Sequence, residues 1–214
     1  MAKAEKARLD RGTIVDAALR IAARGETDGL TGKALGLELG VDRSAVWRHF
    51  EDKDALLRAV GDKLFEIAVA TVPPELPPLD RLEALGRAIM DVFAAHPYVG
   101  AAISLHFTWG PGTLTTTELT LAALEELGLE PSKVVLFQRL FAETVIATAG
   151  ARAGYALLPE NTRRIEETAL STHFRGVDPD EYPLIATHAA GLAGVEPDTL
   201  FDALIDVLLN AVRP

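Results

Sequence analysis

Apolar residues recur along this chain at spacings of three and four, the period of one face of an α-helix, and no stretch alternates like a half-buried strand. Ile14, Ala17, Ala18, Ile21 and Ala22 form an apolar stripe on a first helix beginning near Asp10, and Gly25 with the polar stretch after it ends that helix. Two short helices follow, then a longer one over about 53–70. Pro73-Pro74 and Pro77-Pro78 break the pattern, because proline has no N–H and restricts the residue before it. That break is the expected domain boundary. Beyond it, periodicity predicts helices over about 79–95, 113–127, 132–153, 160–172, 184–193 and 197–212. Pro97, Gly110-Pro111-Gly112, Gly128, Pro159, Gly176 through Pro179, Pro183 and Pro197 punctuate them. The expected fold is all-α, in two unequal parts.

Residues 30–50 hold the most informative pattern. Thr31 is a good N-cap, since its hydroxyl can accept from a free N–H of the first turn. Leu30 and Leu35 have the spacing of a hydrophobic staple around it. The helix they start runs to Leu39, and Gly40 stands where a left-handed residue is wanted. Asp42 then caps a second helix, with Val41 and Val46 repeating the staple. Two short helices joined by the turn Gly40-Val41-Asp42 make a helix-turn-helix.

On the second helix Val46 should face the core, which leaves Arg43, Ser44, Trp47, Arg48 and His49 pointing outward or sideways. An arginine can donate two bonds to a guanine edge or one charge to a phosphate. Ser44 can reach a base or a phosphate, Trp47 can pack along a sugar-phosphate chain, and Lys53 could meet the backbone from the other side. The bland alternatives are a packing role for Trp47 and a solvated charged face for the cations.

A formal net charge of −10 looks wrong for a nucleic-acid binder. Residues 1–63, however, hold 12 Lys/Arg against 11 Asp/Glu, and residues 64–214 hold 9 against 20. The acid sits in the later part, and it is local charge that attracts phosphates. Charge therefore permits DNA binding without demonstrating it. Cysteine is absent, which excludes disulfides and thiolate metal sites and fits a cytoplasmic protein. Met1-Ala2-Lys3-Ala4-Glu5-Lys6 lacks the apolar core of a secretory signal, and no apolar run reaches the roughly eighteen residues that cross a bilayer, so no membrane role is expected.

Leu39-Gly40-Val41, then Trp47-Arg48-His49-Phe50, then Lys53-Asp54-Ala55-Leu56-Leu57 resembles the DNA-binding signature of the tetracycline-repressor (TetR) family, over about residues 9–60. The family more often has tyrosine where Trp47 stands, alanine at Gly36 and a larger residue at Gly32. Two glycines in one short helix cost up to about 1 kcal/mol each relative to alanine. The resemblance implies a three-helix helix-turn-helix domain over 1–52, a connecting helix over about 53–70 and a larger helical ligand-binding and dimerisation domain over 71–214. Positions matching the family's DNA contacts are Thr31, Lys33, Arg43, Ser44, Ala45, Trp47, Arg48, His49 and Lys53. It also implies a homodimer formed through the helices at about 132–153 and 197–212. The second of these carries an apolar stripe of Phe201, Leu204, Ile205 and Leu208.

In the later part, His96, Tyr98, His106, Phe107, Trp109, Phe137, Phe141 and His173 could line a cavity for a small lipophilic or aromatic molecule. For any one of them taken singly, a place in the core or on the surface is the simpler reading. His173 and His188, with Asp178, Asp180 and Glu181 between them, match no compact metal motif, and neither a metal nor a cofactor is expected. The functional expectation is a ligand-responsive regulator, most simply a repressor, that binds double-stranded operator DNA and a small-molecule effector. The competing reading is an all-α enzyme or a ligand-binding module in which the helix-turn-helix is only structural, although no clustered acid, base or nucleophile can be assembled from the residues.

Overall fold

The computed structural model describes residues 9–24 and 30–213. Gly25, expected to end the first helix, and the charged stretch Met1–Lys6 lie outside the described residues. Among those described there are eleven α-helices and no strand.

Side chains that cap the backbone set the first four helices. Helix α1 (Arg11–Ala23) starts at Asp10, whose carboxylate accepts from the Thr13 amide at 2.8 Å. Helix α2 (Gly32–Leu39) starts at Thr31, whose hydroxyl accepts from the Ala34 amide, and stops at Gly40 with φ 64°. Helix α3 (Arg43–Val46) starts at Asp42, which accepts from the Ser44 amide at 2.8 Å. Helix α4 (Lys53–Ala70) starts at Asp52, which accepts from the Ala55 amide at 2.7 Å. These caps satisfy amides that have no partner within their own helix. Ile14, Leu30, Leu35, Val46, Phe50 and Leu56 are buried and form the core of this region.

Helix α3 is shorter than expected. It ends at Val46, and residues 47–49 form a turn in which the His49 amide donates to the Val46 carbonyl at 3.0 Å. The reason lies outside the motif. Arg11 donates to the His49 carbonyl at 2.7 Å and lies 4.2 Å from the ring centroid of Phe50. Turning the chain here lets Phe50 enter the core, where it is 2% exposed.

The prolines that punctuate the sequence are mostly helix beginnings. Helices α5 (Pro78–Ala95), α6 (Pro97–Ile103), α7 (Pro111–Glu126), α8 (Pro131–Ala156), α10 (Pro183–Gly194) and α11 (Pro197–Asn210) all open on one, and Pro159 precedes α9 (Glu160–Arg175). At the first helical position the missing N–H is no loss and the fixed φ suits the helix. For that reason α6, which periodicity did not predict, follows directly on Pro97.

The chain divides into two compact units, the first reaching Ala156 and the second running Leu157–Arg213. In the first, α4 packs on α5, α6 and α7, and α8 packs on α5, α6 and α7. The rings of Phe65 and Phe93 lie 5.9 Å apart at its centre. Helix α8 is long and apolar enough to cross a membrane by length and composition. It carries Arg139, Glu143 and Arg152, however, and buries Val134, Phe141, Val145, Ala149 and Ala153 where it packs on α5, α6 and α7. In the second unit α9 pairs with α10, and α11 buries Phe201, Ile205 and Leu209.

Candidate nucleic-acid interface and internal cavity

The helix-turn-helix presents one polar, largely basic face. Thr31, Lys33, Arg43 and Ser44 are exposed and, with Gly32 and the half-buried Trp47, line a shallow depression. Arg48 and Lys53 are exposed beyond it, while Ala45 and His49 are half-buried. Lys53 also lies 5.7 Å from the ring centroid of Tyr98 on α6. The base of the motif is held by Glu38, which pairs with Arg20 at 3.1 Å and with Arg24, joining α2 to α1.

Both glycines of α2 have a steric reason. A Cβ on Gly32 would come within 2.4 Å of the Trp47 indole nitrogen, and one on Gly36 within 2.8 Å of the Val41 carbonyl oxygen. The first lets the nitrogen edge of the indole come up against α2. The second lets the turn close back on the helix. The helix-propensity loss at these positions is thus the counterpart of tight packing between the two helices of the motif.

Three carboxylates of this region titrate low. The Thr13 amide and hydroxyl hold Asp10 below its ordinary 3.8, and the Ser44 hydroxyl and amide do the same for Asp42. Arg24, then Arg20, hold Glu38 below 4.5. A carboxyl lowered in the folded state stabilises it above the unfolded value, and that contribution disappears as pH falls through the folded value. The helix-turn-helix is therefore expected to lose thermal stability as pH falls below the ordinary values of 4.5 and 3.8. Trp47 fluorescence, followed in a Trp109→Phe background, reports it. Asp10→Asn with Asp42→Asn should flatten that pH dependence, and an unchanged slope would disprove the role of these caps.

A cavity of about 600 Å³ lies within the first unit, between α4, α5, α7, α8 and the segment leaving α6. Phe65, Leu85, Ile89, Phe141 and Ile146 supply apolar walls, and Thr113, Thr116, Thr117 and Thr120 of α7 face them. Of the aromatic and histidine candidates, His106, Phe107 and Phe141 line this cavity, Phe107 at its rim. The others are elsewhere. His96 joins α5 to α6, and its ring nitrogen Nδ1 meets the Val92 carbonyl at 3.0 Å. Tyr98 faces Lys53, Trp109 is 69% exposed, Phe137 is half-buried outside the lining, and His173 is exposed on α9 in the second unit. Of the α11 stripe, Phe201 and Ile205 are buried within the chain and Leu204 and Leu208 are half-buried. The exposed apolar positions of that helix are Leu200 and Val207.

Periodicity gave no sign of two residues that tie the cavity to α4. Arg58 donates to the Phe107 carbonyl at 2.6 Å and to His106 Nδ1 at 3.2 Å, and it lies 5.1 Å from the ring centroid of Trp109. One turn later, Asp62 is buried and accepts from the amides of Gly110, Gly112 and Thr113 at 3.1, 2.9 and 2.8 Å and from the Thr113 hydroxyl at 2.8 Å. A carboxylate at the start of α7 meets both its free amides and the positive end of its dipole. Gly110 and Gly112 permit the approach, since a Cβ on either would come within 2.1 Å of Asp62.

The family model for bacterial regulatory proteins of the tetR family matches residues 14–60, the span from the first buried residue of α1 to the first half of α4. Residues 14–60 of this chain thus match the tetR-family DNA-binding domain. Solved structures share the fold over nearly the whole length. The transcriptional regulator SCO7222, a TetR from Streptomyces coelicolor, is 25% identical with a TM-score of 0.78, covering 96% of this chain and 98% of its own. ActR, also from Streptomyces coelicolor, is 20% identical with a TM-score of 0.82, covering 96% and 97%. ActR in complex with actinorhodin gives the same figures. No curated protein matches the chain. The tetR-family motif is built here with a Gly32–Trp47 pair in which the wider ring sits where α2 has no side chain.

Proposed function

We propose that this chain is a homodimeric, ligand-released repressor acting in the cytoplasm. Thr31, Lys33, Arg43, Ser44, Ala45, Trp47, Arg48, His49 and Lys53 meet the operator, and a small molecule binds in the α4–α8 cavity. The observation that carries this reading is the double attachment of α4. Its first residue, Lys53, stands at the basic face, and further along the same helix Arg58 and Asp62 grip the segment that lines the cavity. An occupant that displaces residues 104–113 must pull on α4, and so on the helix-turn-helix that packs against it through α1. A coupling of about 1–3 kcal/mol, typical of such linkage, would weaken operator binding about 5- to 150-fold.

ActR, a relative solved in complex with actinorhodin, supports a ligand-responsive reading of this fold. In a two-fold dimer the recognition elements would stand roughly 34–36 Å apart, one turn of DNA. Helix α8 offers the exposed apolar residues Val135, Leu136 and Leu140 to such a contact, and α11 offers Leu200 and Val207.

The reading is tested by fluorescence anisotropy with a labelled duplex taken from the DNA flanking this protein's gene, against random duplex, at two salt concentrations. Binding should survive the competitor and weaken with salt as counterions are retained. Affinity no better than for random duplex, there and in selection from a random library, would overturn it.

A further inference from the structure

Cations lie over aromatic rings at three places in the first unit, and one of the three differs from the others. Arg11 lies over Phe50 and Arg58 over Trp109, but each also donates to a backbone carbonyl, Arg11 to that of His49 and Arg58 to that of Phe107. Among the described residues, the Lys53 ammonium has only a ring. It stands 5.7 Å from the centroid of Tyr98, and no described carboxylate pairs with it. Lys53 is exposed and Tyr98 half-buried, so the pair sits at the edge of the basic face and not in the core.

The ring is presented by a helix with little room to shift. In α6, Val99, Gly100 and Ile103 are buried. A Cβ on Gly61 of α4 would come within 2.3 Å of Ile103, and one on Gly150 of α8 within 2.2 Å of Ser104, the C-cap of α6. Pro97 fixes the first turn, and Tyr98 follows it directly. Lysine, by contrast, has a flexible four-carbon stem, whose rotamer freedom is given up when its ammonium meets a phosphate. A carboxylate would hold that ammonium but would also compete with the phosphate for it. A ring attracts it through its quadrupole and leaves the charge whole, with the N–H donors that point away from the ring still open.

We propose that Tyr98 is a positioning residue for DNA binding, whose ring holds the Lys53 ammonium ready for an operator phosphate. The inference rests on the reading of the basic face as a DNA contact. It adds to that face a residue outside the helix-turn-helix, on α6, that acts only through Lys53.

The anisotropy titration of the flanking duplex, repeated with Tyr98→Leu, Tyr98→Phe, Lys53→Met and the double variant of Tyr98→Leu with Lys53→Met, tests this. Tyr98→Leu keeps apolar bulk but has no π face. It should weaken binding about two- to fivefold and leave the salt slope unchanged, because the lysine charge is still present. Tyr98→Phe keeps the face and should bind as wild type does. Lys53→Met should lower the slope by about one, and in that background Tyr98→Leu should cost nothing further. A Tyr98→Leu variant that binds as tightly as wild type overturns the proposal, as does a Tyr98→Phe variant as weak as Tyr98→Leu. So does a loss of equal size in the Lys53→Met background, since the ring would then support the fold and not the lysine. A measurement without DNA separates failure here from failure of the DNA reading. By NMR, the Lys53 side-chain methylene protons should be shifted upfield by the ring current in wild type and Tyr98→Phe, and not in Tyr98→Leu. Unshifted protons in the wild type overturn the proposal, whereas shifted protons in a wild-type chain that binds no operator overturn the DNA reading on which it rests.

Discussion

Asp62→Ala should lower the unfolding free energy by about 3–5 kcal/mol, as expected when one partner of a buried charged network is removed. The side chain is 5% exposed, and three of its four donors are backbone amides that cannot turn elsewhere. Truncation leaves them in a space that a methyl group does not fill, and the N-terminal dipole of α7 loses its counter-charge. Asp62→Asn is a graded control. Its amide oxygen keeps the Oδ1 partners, but its NH₂ would then face the Gly112 amide, so an intermediate loss is expected. Gly112→Ala should approach the alanine variant by a different route, because its Cβ would lie 2.1 Å from the Asp62 carbonyl oxygen, a backbone atom that cannot move aside. In a chain of this size each kcal/mol is worth roughly 2–4 °C in Tm, so thermal melts should fall by about 10 °C for Asp62→Ala. A melt within about 2 °C of wild type would show that the clamp contributes little.

The second large effect concerns DNA. Replacing Arg43 and Arg48 together with alanine should weaken operator binding about 100-fold, at about 1–3 kcal/mol for each arginine removed. Both side chains are exposed, so the melt should stay within about 0.5 kcal/mol of wild type, the range of ordinary surface substitutions. The salt dependence separates the two modes of binding. If the arginines neutralise phosphates, their removal lowers the slope by about one for each and weakens random DNA equally, whereas if they read bases only the operator is affected. Operator affinity within threefold of wild type in the anisotropy titration would remove both residues from the interface.

What was readable in the sequence was local. Thr31, Asp42 and Gly40 act through their own neighbours' amides and carbonyls, so spacing alone located α2, its turn and the start of α3. The length of α3 was not readable, because Arg11, 38 residues away, holds the His49 carbonyl where the chain turns in to bury Phe50. Pro97 looked like a break and proved to be a beginning, since proline is hostile inside a helix and well suited to its first turn. The Asp62 clamp joins residues about 50 apart and has no local signature. Aromatic residues are natural candidates for a cavity wall, yet which of them face it depends on how each helix is rotated, and Trp109 and Tyr98 face elsewhere. Threonine, ordinarily a surface residue, forms the polar wall because its hydroxyl can return its proton to the helix backbone.

The nesting of Trp47 over Gly32 bears on any attempt to retarget this protein. Exchanging residues 42–49 for those of a relative with a smaller ring at position 47 would open a gap above α2. Importing a relative's side chain at position 32 alone would push the indole, and the arginines that flank it, off their present line. The transplantable unit is therefore not the recognition helix but the two-helix cassette 31–49, moved whole, so that the aim of the reading head travels with the seat on which it rests.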